Sequence, residues 1–98
     1  MSAYILVDVT ITNPKTFTEY MGQVPQTVTQ YGGRYLVRGG ETEILEGTWK
    51  PLRTVILEFP SMEQAKQWYD SEEYRHPKAL RHQSADSNMI LVQGLEGS

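Results

Sequence analysis

The stretch from Gln30 to Gly47, "QYGGRYLVRGGETEILEG", sets two glycine pairs around a short apolar run that carries Arg34 and Arg38. A glycine loop that cradles phosphate must follow a strand and open a helix, so that unpaired N–H groups point at the anion. Here the order is reversed. Upstream, Phe17, Tyr20, Met21, Val24, Val28 and Tyr31 recur at helical spacings, and the stripe ends at Gly32-Gly33. Downstream, "RYLVR" alternates as a strand, with Arg34, Leu36 and Arg38 expected on one face and Tyr35 and Val37 on the other. The first glycine pair is therefore a left-handed helix cap, and Gly39-Gly40 is expected to form a β-bulge.

The flanks complete the pattern. "AYILVDVTI", Ala3 to Ile11, is a strand with Ile5, Val7, Val9 and Ile11 on one face and Tyr4, Leu6, Asp8 and Thr10 on the other. Asn13 is an N-cap and Pro14 a first helical residue, while Pro25 predicts a kink or break near Val24. After Gly40, "ETEILEG" is expected to continue extended, "TWKP" to turn, and "RTVILEF", Arg53 to Phe59, to form a strong strand. Ser61 and Gln64 make a capping box for a second helix bearing Met62, Ala65, Trp68 and Tyr69. "DSEEYRHPKALRHQSA" is expected to be helical or turn-rich with an interruption at Pro77, and "NMILVQGL" closes as a strand.

The order β-α-β-β-α-β over residues 1–98 predicts a single α+β domain, a ferredoxin-like sandwich with both helices on one face of an antiparallel sheet. On the other face Leu6, Leu36, Ile56, Met89 and Leu91 are expected, too apolar for water. The same face of a second copy would cover it, which predicts a homodimer.

Composition narrows the classes. There is no cysteine, which fits a reducing compartment and removes thiolate metal sites and thiol nucleophiles. The net charge is −3 and the basic residues are scattered from Lys15 to Arg81, which argues against nucleic-acid binding. The first residues lack a basic n-region and no apolar run is long enough to span a membrane, so a cytoplasmic protein is expected. Aromatics make up 10% of the chain and are mostly Tyr and Trp, suited to a core, an interface or a small-molecule cleft.

Strand alternation would turn Asp8, Glu58, Arg34 and Arg38 to the same face. Such charges serve either an ion-pair network that fixes register, or a site in which Arg38 stabilises an oxyanion while Glu58 or Asp8 moves a proton. His76 and His82 belong to no metal motif, so no metal is expected. Serine nucleophilic catalysis has no supporting elbow sequence. Trp68 and Tyr69 lie on the core side of the second helix, and Trp49 in its turn is expected to pack on a neighbour, plausibly the other subunit.

"YGGRYLVRGG", the segment "VILEFPSMEQAKQWYDSEEY" preceded by Glu46-Gly47, Pro51 and Arg53, and the later Arg81 resemble the domain-of-unknown-function family 1330, of the dimeric α/β-barrel group. The resemblance implies two sheets packed into a barrel between subunits, a pocket in each, and Ser71, Tyr74 and Arg81 at a cleft mouth. For Ser71 and Tyr74 a helix cap and its packing partner are the plainer roles. Better understood members of the wider group include cofactor-independent monooxygenases, lactone isomerases and haem-dependent enzymes; no haem signature is present, and no cofactor is expected. The expected function is binding of a small organic molecule by a cytoplasmic homodimer, with Arg34, Arg38, Trp68, Ser71, Tyr74 and Arg81 around the ligand. The alternative is a cofactor-independent enzyme, monooxygenase- or isomerase-like, acting on a small carbonyl or phenolic compound.

Overall fold

The computed structural model describes residues 1–95, and the remainder of the predicted 1–98 domain lies outside the described residues. The elements run β1 (Ala3–Ile11), α1 (Pro14–Gln30), β2 (Arg34–Arg38), β3 (Thr54–Phe59), α2 (Met62–Tyr69), α3 (Glu72–Ser84) and β4 (Ala85–Gln93). The strands form one antiparallel sheet in the order β2-β3-β1-β4, the ferredoxin-like arrangement. Ile5, Val7 and Val9 of β1 and Leu57 and Phe59 of β3 bury one face against Phe17, Val24, Val28, Ala65, Trp68 and Tyr74 of the helices. A single helical layer on a single sheet makes a slab 38 × 37 × 16 Å. On the opposite face no helix packs among the described residues, and Leu36, Ile90 and Val92 are exposed there.

Local chemistry accounts for the element ends. Asn13 caps α1 by accepting from Thr16 N at 3.2 Å, and Ser61 caps α2 by accepting from Gln64 N at 3.1 Å. Gly32, at φ +80°, takes the left-handed position after α1, and the N–H groups of Gly32 and Gly33 close on Thr29 O and Val28 O.

Five expectations are corrected. First, α1 runs unbroken through Pro25. Proline removes the N–H that would reach the Met21 carbonyl, but Arg38 Nη2 donates to that oxygen instead at 3.0 Å. Second, the stretch after α2 is one helix with no interruption at Pro77, and Ser71 starts it in the expected capping role: its Oγ accepts from Tyr74 N at 3.1 Å and donates to Trp68 O at 2.7 Å. Third, "ETEILEG" forms no strand, and residues 39–53 are an irregular connection. Fourth, the register irregularity falls between Tyr35 and Val37, ahead of the glycines. Fifth, Met89 and Leu91 pack on the helical side, and the outward residues of β4 are Ile90 and Val92. The antiparallel register with β1 requires this, since Leu6 pairs with Ile90 and Tyr4 with Val92.

Candidate ligand site

The irregularity in β2 determines which arginines meet. Arg34 lies opposite Glu58 and Tyr35 opposite Leu57, but Val37 lies opposite Ile56 and Arg38 opposite Val55. One extra residue has shifted the phase, so Arg38 joins the helical side of the sheet while Arg34 stays on the open side. There the Arg38 guanidinium stacks 4.8 Å from the Tyr35 ring.

The four charges grouped by alternation therefore separate. Arg34 Nε and Glu58 Oε1 pair at 2.6 Å on the open face, and this bond holds the Glu58 carboxyl below the usual carboxylate range. Asp8 is also on that face, opposite Thr54 and Asn88, whereas Glu58 stands opposite Tyr4, four residues away along β1. At about 3.3 Å per residue the two carboxylates lie on the order of 13 Å apart along the strand. Asp8 Oδ2 accepts from Trp49 Nε1 at 3.4 Å, and Asp8 Oδ1 is buried without a partner. Trp49 itself is exposed.

Between α1 and the sheet is a cavity of about 30 Å³ with a mostly apolar wall, including Val9, Phe17, Val24, Leu57 and Trp68. Arg38, Arg53 and Arg81 come to it from β2, the β3 approach and α3. Arg38 is exposed at its mouth, Arg53 is half-buried, and Arg81 is buried. None of the three forms an ion pair among the described residues, where the ion pairs are Arg34–Glu58 and Arg75–Glu72. Arg81 is held by neutral groups: Nε donates to Tyr74 Oη at 3.3 Å, Nη1 to Ser87 Oγ at 2.5 Å, and Nη2 lies 3.4 Å from His82 Nε2. Burial, with Arg81 and Lys78 nearby, pushes the His82 ring pKa down, which suits it to accept. Among the described residues Arg53 Nε is buried without a partner, and Nη2 reaches the Met21 sulfur at 3.6 Å. Gly39, at φ +74°, leaves the space that this guanidinium fills.

Tyr20 Oη and Tyr74 Oη lie 3.1 Å apart at the cavity wall. Burial, followed by the neighbouring Tyr74, raises the Tyr20 phenol far above its ordinary value, and burial lifts Tyr35 to about 12. Both are neutral donors near neutral pH.

Of the expected ligand residues, Arg38, Trp68 and Arg81 line the cavity, and Tyr74 supports it from behind. Ser71 is a cap, and Arg34 belongs to the open face. Sequence reasoning missed Arg53, Tyr20 and Tyr35. The signal for Arg53 was its place immediately before a strongly apolar strand, and Tyr20 was absorbed into the helical stripe. No group of His, Asp or Glu side chains suited to a metal occurs among the described residues.

A family model described as Domain of unknown function (DUF1330) matches residues 2–95. Among curated protein sequences none matches the chain. Among solved structures, the RPA0582 protein of unknown function from Rhodopseudomonas palustris superposes with a TM-score of 0.79 at 18% identity, covering 97% of this chain and 83% of that one. SnoaB, a cofactor-independent oxygenase from Streptomyces nogalater, gives 0.67 at 7% identity over 97% and 94% of the two chains. An uncharacterized NIPSNAP domain protein from Burkholderia xenovorans gives 0.56 at 12% identity over 100% and 98%. At these identities the likeness is one of fold.

Proposed function

The chain belongs to the DUF1330 family, and from its cavity we propose that it binds a small organic molecule between α1 and the sheet, as a cytoplasmic homodimer. The observation that carries this is the convergence of Arg38, Arg53 and Arg81 on an apolar cavity, with Arg53 Nε buried and unpartnered. A buried donor without an acceptor costs about 1–3 kcal/mol, a cost that a bound ligand would relieve. Small-molecule sites combine an apolar wall with a few convergent polar groups in this manner.

The homodimer is supported by the open face. Leu36, Ile90 and Val92 are exposed on it, an apolar set that a second copy would cover. Cytoplasmic placement is supported by the cysteine-free composition; no helix among the described residues is long and apolar enough to cross a membrane.

Four methionines give a direct test of binding, because Met21 and Met89 line the cavity while Met1 and Met62 do not. Titrating methyl-labelled protein with organic compounds of one to three carbons is expected to shift the Met21 and Met89 resonances and leave the other two in place. Shifts confined to Met1 or Met62, or none across the compounds, would remove the pocket.

The enzymatic alternative, cofactor-independent chemistry on a carbonyl or phenolic compound, is supported by fold likeness to SnoaB. Within one chain Glu58 and Asp8 stand on the opposite face of the sheet from Arg38, so neither is placed as a base for a molecule held by Arg38. Oxygen uptake with phenolic compounds tests the monooxygenase-like form of this alternative, and a rate equal to the buffer blank rejects that form.

A further inference from the structure

The polar wall of the cavity has a single sense. Guanidinium groups donate and cannot accept, and Arg38, Arg53 and Arg81 supply three of them. Trp68 Nε1 also donates, and is spent on Thr27 Oγ1 at 3.0 Å. The direction of the Tyr20 hydroxyl follows from its neighbours. Arg81 Nε must donate to Tyr74 Oη, so the Tyr74 oxygen accepts there. Tyr74 is fully buried, and the acceptor left for its O–H is Tyr20 Oη. One of the two phenol protons therefore has no acceptor among the described residues, and with the buried Tyr74 donating it is that of Tyr20, which lines the cavity. Arg53 Nε–H is a second donor in that condition. A chain of net charge −3 thus presents, at one apolar cavity, three cations without a carboxylate, with Arg53 Nε and a phenol proton uncommitted among the described residues.

We propose that the cavity selects a compact organic anion, a carboxylate or enolate on an apolar body, whose oxygens accept from the Tyr20 hydroxyl and Arg53 Nε. Arg38 at the exposed mouth attracts the charge. Arg81 does not touch the ligand's oxygens; as a positioning residue it fixes the direction of the Tyr74–Tyr20 pair. Charge-assisted bonds from a preorganised, apolar surrounding favour an anion over its neutral isostere. An amide of the same shape would turn its own N–H₂ toward donors. This assignment rests on the small-molecule pocket above and narrows its chemistry.

The test pairs formate with formamide and acetate with acetamide, titrated into methyl-labelled protein with Met21 and Met89 as reporters. The acids are expected to bind at least about tenfold more tightly than the matched amides. Tyr20→Phe and Arg53→Gln are each expected to weaken acid binding by about tenfold and to leave amide binding unchanged. Arg38→Gln, which also gives up the bond to the Met21 carbonyl and the stack on Tyr35, is expected to weaken the acids and flatten the salt dependence of their binding in protein shown by its melt to be folded. Equal affinity for acid and amide would overturn the anion assignment while leaving a pocket. Silence toward both series would overturn the pocket as well. Unchanged acid binding in folded Tyr20→Phe and Arg53→Gln would overturn the donors named.

Discussion

At the scale of single residues, charge partners separate groups that look alike in sequence. Arg34 and Arg38 are four apart in one short strand, yet the first meets Glu58 and the second meets a carbonyl and a ring. The Glu58 pKa is lowered first by the Arg34 hydrogen bond, so folding favours the carboxylate. Its contribution to stability is present above the unfolded carboxyl pKa of about 4.3 and is lost as pH falls through the lower native value. Between pH 6 and 3 the wild-type melting temperature should therefore fall more steeply than that of Glu58→Gln. Parallel curves from thermal melts would show that the pair adds nothing to stability. Because Arg34 is largely exposed, the effect is expected to be small and to shrink with salt.

At the scale of elements, one proline links helix and site. Pro25 leaves the Met21 carbonyl without its helical donor, and Arg38 from β2 fills the place. An interior proline costs a helix about 3 kcal/mol against alanine. The Arg38 bond returns about 1 kcal/mol, and the stiffer unfolded chain offsets part of the rest. Pro25→Ala is therefore expected to raise stability by on the order of 1 kcal/mol and to release Arg38, as the backbone N–H takes back the Met21 oxygen. Denaturant unfolding measures the first effect, and the Arg38 side-chain NMR signals report the second. A less stable variant would show that the proline supports α1 by other means. Ser71 has a similar reach, since one hydroxyl both starts α3 and ties it to Trp68 of α2.

At the scale of the whole molecule, a slab 16 Å thick with helices on one side leaves Leu36, Ile90 and Val92 of the sheet in water. If a second copy covers this face, light scattering at micromolar concentration will give twice the 11.2 kDa of one chain. Ile90→Glu, on an outward position already 57% exposed, should leave the subunit folded and give monomers. A wild-type protein that scatters as a monomer would remove the dimer.

The periodicities of the chain, its caps at Asn13 and Ser61 and the glycine after α1 were enough to specify the ferredoxin-like order and the side of β1 that forms the core. These are local or strictly alternating features, and each is written in neighbouring residues. The cavity was legible only in part. Trp68, Tyr74 and Arg81 could be named, but the membership of Arg38 depends on one unpaired residue in β2, which reverses the alternation from which its face was inferred. Arg53 and Tyr20 enter because strands and helices distant in sequence bring them to one wall, and the lack of a partner for Arg53 Nε among the described residues exists only in three dimensions. Sequence by itself determined the elements and the class of fold. Tertiary structure decided which charges meet, because pairing depends on sheet register, and a shift of one residue moves a side chain to the other face.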